Sequence, residues 1–379
     1  EIRYQKYNYT AHMKTATITF HAAHNYGSML QAYALQQTIL NLGHENVILN
    51  LRTDKQKELY AKICNRKGGI IKKMSRIFFY FQYLHALNRK YDLFEKFLHD
   101  DLLLTREYAT LHDLELADLK YDCFISGGDQ IWNTSPIDFD WSYYLPFAKS
   151  GKKISYAVSM GPHAELQVFN QKKIKQYLSS YTHISVREKG TYDLVSSLVA
   201  IPVEISLDPV FLLTREDWRG KFNKQRLLED EYILVYSPGY KPEVYEIAEK
   251  VSKEINVKIV TTLYTPQMAQ YRNLKKVLAV GPWEFLNLLD HAKFIVSGSF
   301  HATAFSVLFN KPFYAVRGSQ DNRMKTFLEN ANLLDRSICD SDFNSKINRI
   351  LDLSFEDANA FFAKERSKSI AYLKESINN

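Results

Sequence analysis

The chain of 379 residues is long enough for two hydrophobic cores. Hydrophobic residues make up 46% and charged residues 24%, the proportions of a globular chain rather than a disordered or fibrous one. A net charge of +7, from 49 Lys and Arg against 42 Asp and Glu, suits an anionic small ligand or an anionic membrane surface, and is too weak by itself to argue for nucleic acid.

Cys64, Cys123 and Cys339 are scattered with no CxxC pair, which argues against a structural zinc site and fits free thiols in a reducing cytoplasm. No run of about 18 apolar residues offers a membrane span. The segment before Met13, EIRYQKYNYTAH, lacks the apolar core of a signal peptide, which makes Met13 a candidate start.

In chain order, the β-branched content of KTATITFH (14–21) predicts a strand, AHNYGS a loop, and MLQAYALQQTILNLG (29–43) a helix closed by Gly43. NVILNL (46–51) is the next strand, so the chain opens as the βαβ unit that builds parallel sheets. Further strands are expected at 121–128, 153–161, 182–188 and 203–211, with a helix over 165–180. Around 212–231 the text turns polar, as an interdomain connection would. The alternation then restarts with strands at 231–239, 257–264 and 275–281, a helix over 242–256, and the pieces PWEFLNLLDHA, KFIVSGS, HATAFSVLFN and KPFYAVRG. Residues 354–377 form a long helical pattern. The expected architecture is α/β with two Rossmann-like domains, 13–215 and 230–340, followed by a helical segment 341–379, with ligands in the cleft between the halves. A helical insertion, about 55–104, interrupts the first domain. Its stretch 66–84 is basic and aromatic, and reads either as packing on that domain or as an interfacial patch at a membrane.

The common nucleotide and metal motifs are missing. No G-x-G, P-loop, H-E-x-x-H or G-x-S-x-G occurs. Four polar clusters instead stand at strand ends. His21-Ala-Ala-His24-Asn25-Tyr26-Gly27-Ser28 enters a helix and is either an anion-receiving N-terminus or an ordinary capped turn. Ser126-Gly127-Gly128-Asp129-Gln130-Ile131-Trp132-Asn133 has two glycines that permit close backbone approach and a Trp132 ring that offers a stacking face for a sugar. It also reads as a structural Asp-capped turn. Ser185-Val186-Arg187-Glu188 puts an arginine beside the cleft, for a carboxylate or phosphate or merely for Glu188. In SGSFHATAFSVLFNKP, His301 sits on the first turn of a helix, where it is either a structural residue or a general acid–base group.

These pieces together resemble the polysaccharide pyruvyl transferase family from about residue 14 to about 335. HNYGSMLQAYALQ, FISGGDQIWN, ISYAVSMG, SVREKG, LDPVFLL and SGSFHATAFSVLFNKP come in family order. The resemblance implies a glycosyltransferase-B-like fold whose last helix returns to the first domain. It implies transfer of the pyruvyl group of phosphoenolpyruvate onto two hydroxyls of one sugar, forming a cyclic ketal, with no metal or redox cofactor. His301 matches the family's histidine and is the expected general acid. Asp129 is the expected base or hydroxyl-positioning group. Arg187 matches the arginine of the family's S-x-R-E segment. Asn25, Tyr26 and Gly27 are expected to line the cleft from the first domain, and Gly127, Gly128, Gln130, Trp132 and Asn133 are further expected substrate-binding residues.

One departure stands out. Where members carry Arg-Leu-His, this chain has Ser299-Phe300-His301, which resembles a subgroup of the family. A bidentate anion donor is thereby lost. Arg317, or the helix start with Ser297 and Ser299, is the candidate replacement; alternatively the donor is not phosphoenolpyruvate. The expected partners are phosphoenolpyruvate and a saccharide or lipid-linked saccharide precursor of a cell-surface polysaccharide, with peripheral contact at the inner membrane face in the second case and no nucleic acid. The competing readings are a sugar-nucleotide-dependent glycosyltransferase on the same fold and a catalytically inactive binding homologue.

Overall fold

The computed structural model describes residues 12–61, 70–161, 169–271, 273–339, 341, 343 and 350–379, the side chains of 70–80 excepted. Two parallel sheets organise them. The first has strands β1 (Lys14–Ile18), β2 (Glu45–Leu51), β3 (Leu104–Tyr108), β4 (Cys123–Gly127), β5 (Lys152–Val158), β6 (His183–Val186) and β7 (Val203–Ile205), in the order β3-β2-β1-β4-β5-β6-β7. The second has β8 (Tyr232–Tyr236), β9 (Lys258–Thr261), β10 (Leu274–Lys276), β11 (Phe294–Ser297), β12 (Phe313–Val316) and β13 (Ser337–Ile338), in the order β10-β9-β8-β11-β12-β13.

Both sheets wind outward to one edge and then return to the other side of their first strand. The order reverses between β1 and β4 in one sheet and between β8 and β11 in the other. Registers are parallel at both places, Thr15↔Cys123 and Phe294↔Ile233 among them. A crevice opens at such reversals, at the carboxyl ends of the strands. The four strands concerned are buried along almost their whole length, as strands covered by helices on both faces must be.

The covering helices are α1 (Tyr26–Asn41), α2 (Asp54–Leu59), α3 (Ile70–Asp101), α4 (Leu111–Leu116), α5 (Gln171–Leu178), α6 (Lys189–Leu198), α7 (Arg215–Arg219), α8 (Pro242–Ile255), α9 (Pro282–His291), α10 (Phe300–Leu308), α11 (Asn322–Asn330) and a C-terminal helix, Glu356–Asn378. The expected βαβ rhythm is present in both halves. Two strands expected over 14–21 and 203–211 stop early, at Ile18 and Ile205, because polar turns and a 3-10 turn at Pro209–Leu212 take over. The edge strand β3, with its polar sequence LTREY, was not anticipated.

The insertion does more than pack on the first sheet. Helix α3 bends at Tyr83, where the backbone leaves helical geometry. It then bridges the halves: Lys90 Nζ donates to the Thr262 carbonyl at 3.2 Å, and Trp283 Nε1 donates to Asp101 Oδ2 at 2.9 Å. Residues 66–69 of the basic-aromatic stretch lie outside the described residues. No helix among the described residues is long and apolar enough to cross a membrane.

One apolar cluster runs through both halves. Tyr26 of α1 stacks on Phe285 of α9 with ring centroids 4.3 Å apart and planes 3° from parallel. Trp218, inside the polar connection, is fully buried and meets Phe305 edge-on at 5.2 Å. The C-terminal helix returns to the first sheet, where Tyr372 donates to the Ser155 carbonyl at 2.9 Å and Ser369 Oγ accepts from Leu207 N at 3.0 Å.

Candidate functional site

The two strand-order reversals face each other across the crevice, and the residues at their carboxyl ends form a closed circuit. It begins at the start of α1. Asn25 adopts extended backbone and caps the helix, its Oδ1 accepting from Gly27 N at 3.0 Å and Ser28 N at 3.4 Å. The capped-turn reading of this segment therefore holds for Asn25. Capping frees Ser28 to turn across the crevice, and its Oγ donates to Asp129 Oδ2 at 2.6 Å.

Asp129 follows β4 in a left-handed turn, with φ 65° at Gly128 and 49° at Asp129. Glycine is required at 128: a Cβ there would stand 1.8 Å from Gln31 Oε1. Asp129 Oδ1 lies 4.0 Å from Arg187 Nη1. Arg187, at the end of β6, donates from Nη1 to Asp208 Oδ2 at 2.5 Å and from Nε to Glu188 Oε2 at 3.3 Å. Its guanidinium lies 4.7 Å from the centre of the Phe300 ring. Its Nη2 is buried and has no hydrogen-bond partner among the described residues.

Asp208 follows β7. Its Oδ1 accepts from Val210 N at 3.1 Å, and its Oδ2 stands 3.3 Å from His301 Nε2. His301, on the first turn of α10, closes the circuit by lying against Gly27, where a Cβ would be 2.2 Å from the imidazole Nδ1.

The electrostatics of the circuit are strongly coupled. Burial would raise the Asp208 carboxyl. His301 and Arg187 beside it and the Val210 N–H outweigh burial and hold the carboxyl well below its ordinary range, although the 3.3 Å approach of His301 Nε2 lacks the geometry of a hydrogen bond. Burial would likewise lower the Arg187 guanidinium, but Asp208, Glu188 and Asp129 push it above its ordinary value. Arg187 and Asp208 are therefore a fixed charge pair. Asp208 faces the imidazole of His301 and can orient it, the arrangement that a general-acid histidine needs. No cluster of three or more metal-ligating side chains occurs among the described residues.

The circuit brings together His301, Asp129, Arg187 and Gly27 from the expected set, with Asn25 as the cap that positions Gly27 and Ser28. It does not include all of it. Trp132 offers no stacking face to the crevice: it is fully buried, stacks on Tyr144 at 5.1 Å and donates from Nε1 to the Tyr143 carbonyl at 3.3 Å. The aromatic residues that arrive 11 and 12 positions later enclose it. Gly127 is a packing position on β4, where a Cβ would meet Leu35 Cδ2 at 2.2 Å. Tyr26 is a fully buried interdomain residue whose hydroxyl donates to the Val280 carbonyl at 3.0 Å, so it joins the halves instead of lining the crevice. Gln130 and Asn133 bond each other at 3.2 Å beneath Gly161. Ser299 precedes α10 and makes no side-chain cap. Arg317 is exposed and pairs with Glu243 of α8, not with any member of the circuit.

Asp208 was missed as a site residue, although LDPVFLL contains it. The available signal was an acidic residue with a proline after it, directly past a strand of a parallel sheet. Beside the circuit lies a cavity of about 140 Å³ lined by Arg187, Asp208, Phe300, Arg323, Phe327 and Phe362, among others.

The fold has relatives among solved structures. S. aureus MnaA, solved with UDP, is similar with a TM-score of 0.58 and 11% identity, over 97% of this chain and 98% of that one. UDP-N-acetylglucosamine 2-epimerase from Rickettsia bellii is similar with a TM-score of 0.51 and 12% identity, over 97% and 98%. UDP-GlcNAc 2-epimerase from Methanocaldococcus jannaschii gives 0.51 and 11%, over 94% and 99%. At these identities the likeness establishes the fold, glycosyltransferase-B-like with two Rossmann-like halves, and nothing of the chemistry. Comparison with curated proteins gives no match. The model of the polysaccharide pyruvyl transferase family matches residues 25–320, a span that takes in every member of the circuit from Gly27 to His301, and the chain belongs to that family.

Proposed function

We propose that the chain transfers the pyruvyl group of phosphoenolpyruvate to a saccharide, forming a cyclic ketal and releasing phosphate. The observation that carries this reading is the Asp208–His301 pair, 3.3 Å apart, set beside an Arg187 whose Nη2 is buried and has no hydrogen-bond partner among the described residues. The reaction needs a proton delivered to the enol methylene, which leaves an oxocarbenium-like carbon. A sugar hydroxyl then attacks that carbon, phosphate departs, and a second hydroxyl closes the ring.

In this reading His301 delivers the proton and Asp208, facing its Nε2 at 3.3 Å, orients the imidazole. A well-placed acid of this kind contributes about 10²–10⁴-fold. Arg187 Nη2 meets the donor's carboxylate or phosphate, while its other nitrogens are held by Asp208 and Glu188. Asp129, already bonded to Ser28, receives a proton from the attacking hydroxyl or positions it. The acceptor is a saccharide of a cell-surface polysaccharide or its precursor. A lipid-linked acceptor would bring the chain to the membrane surface.

The test is phosphate release from phosphoenolpyruvate in the presence of diol-bearing saccharides, with mass spectrometry of the sugar product. A saccharide that gains a ketal-linked pyruvyl group supports the reading. If nucleotide sugars raise the melting point and phosphoenolpyruvate neither raises it nor reacts, the reading fails and a sugar-nucleotide donor takes its place.

A further inference from the structure

A second group of polar atoms sits at the reversal of the second sheet and has no part in the circuit. Ser237 directly follows β8 and is fully buried. Its Oγ has no hydrogen-bond partner among the described residues. A buried hydroxyl left unpaired loses its hydration without compensation, so such a group calls for an explanation. Gly298 directly follows the neighbouring strand β11, and a Cβ there would stand 3.3 Å from Ser237 Oγ and 3.7 Å from Lys241 Cδ. The Ser237 hydroxyl, the Lys241 stem and the bare Gly298 backbone therefore meet at one point, where the strand order reverses.

Helix α10 begins at the same point. It is nine residues long, its preceding residue Ser299 supplies no side-chain cap, and its first turn holds no acidic residue. The N–H groups of Phe300, His301 and Ala302 have no partner within the helix, since the first turn never does. The N–H groups of Gly298 and Ser299 are already used, by the Tyr236 carbonyl and by Ser297 Oγ. Lys241 is exposed and makes no ion pair among the described residues. Glu243, the acidic residue in the first turn of α8, is occupied by Arg317. Beside Gly298, and next to Val244 Cγ2 at 3.4 Å, the mouth is left with one ammonium in no ion pair among the described residues, one unpaired hydroxyl and an uncapped helix start. A tetrahedral group with several acceptor oxygens matches that set better than a planar carboxylate.

We propose that Ser237 and Lys241, with the first-turn N–H groups of α10, hold a phosphate group of the ligand. This deepens the pyruvyl-transfer reading and rests on it for the choice of ligand. It assigns to Ser237 and Lys241 the anion-holding task that Ser299 cannot perform. The phosphate belongs either to phosphoenolpyruvate or to a diphosphate on the acceptor.

The experiment is calorimetric titration of the full chain and of Ser237→Ala and Lys241→Met with phosphoenolpyruvate and, separately, with UDP as a diphosphate probe. Unfolding midpoints check that both variants are folded. At least a tenfold rise in Kd in both variants is expected. A rise confined to phosphoenolpyruvate assigns the site to the donor; one confined to UDP assigns it to an acceptor diphosphate. Wild-type protein that binds UDP and not phosphoenolpyruvate, with binding lost in both variants, supports the site and ends the pyruvyl reading. Wild-type protein that turns over phosphoenolpyruvate while both variants bind both probes within twofold overturns the site and leaves the reading intact. Failure of the wild type to bind either probe also overturns the site.

Discussion

Gly27 and His301 occupy one packing space. The imidazole rests on the bare Cα of the first turn of α1, and a Cβ at Gly27 would stand 2.2 Å from Nδ1 and 2.6 Å from the histidine Cβ. Both contacts are far inside van der Waals distance, and one is to an atom fixed by the backbone of α10. The glycine is thus a positional requirement of the histidine. It joins the first half of the chain to the second at the point where the chemistry is proposed.

Gly27→Ala tests this coupling. Alanine is favoured over glycine within a helix by about 1 kcal/mol, so helix α1 itself gains from the change. The imidazole must move, and its 3.3 Å approach to Asp208 is lost. We expect turnover to fall at least about 100-fold, the scale of a misplaced acid, with much less loss of stability than activity. Kinetics and chemical denaturation on one preparation read both quantities. Unchanged turnover would show that His301 has no role set by this contact.

His301→Gln separates chemistry from binding. Glutamine retains a polar group near Asp208 but cannot carry a proton to carbon. Turnover is expected to fall by about 10²–10⁴-fold with the Kd for phosphoenolpyruvate changed only slightly. Arg187→Lys should do the reverse in part, since an ammonium cannot reproduce the guanidinium fork held by Asp208 and Glu188. A His301→Gln variant with full activity would remove the general-acid assignment.

The alternation of strands and helices was legible in the sequence, because β-branched or apolar runs such as Thr15 to Thr19 and Phe294 to Val296 are followed by loops that carry glycine and serine and then by helical spacing. Long-range partners were not. Asp208 gains its role from Arg187, 21 positions earlier, and from His301, in the other half of the chain. Nothing local to LDPVF reveals either partner. Trp132 misled for the same reason. Beside Asp129, Gln130 and Asn133 it looked like a sugar platform, yet Tyr143 and Tyr144 close over it. Trp218 was hidden in polar text, and only the packing of Phe305 and Tyr33 shows it to be core.

Asp208 should also govern acid stability. Its carboxyl is held well below the ordinary 3.8 in the folded chain and recovers that value on unfolding. Its contribution is therefore complete above about pH 4 and is lost as pH falls through the folded value. Asp208→Asn leaves Arg187 buried beside a neutral amide. Breaking a buried pair on one side costs about 3–5 kcal/mol. Denaturation midpoints from pH 7 down to pH 2 should show the variant weaker at neutral pH and less sensitive to acid than the wild type. Parallel pH profiles for the two proteins would contradict this account.

Lys90 provides an alkaline counterpart at the junction of the halves. It donates to the Thr262 carbonyl at 3.2 Å and lies 5.1 Å from the centre of the Tyr26 ring, and burial pushes its ammonium down to about 8. Tyr26 and Tyr236 nearby are pushed upward by burial, so they stay neutral where Lys90 titrates. Below pH 8 both folded and unfolded chains carry the charge, and the folded chain bears the full cost of desolvating it. Between pH 8 and about 10.4 the unfolded chain holds the proton more tightly, so stability rises with pH. Lys90→Met removes the buried charge and keeps most of the apolar stem against Tyr26 and Phe94. The variant is expected to be at least as stable as wild type at pH 7 and to lose the rise above pH 8. A variant that is weaker at pH 7 would instead show that the bond to Thr262 and the ring contact outweigh desolvation, making Lys90 a tie between the halves.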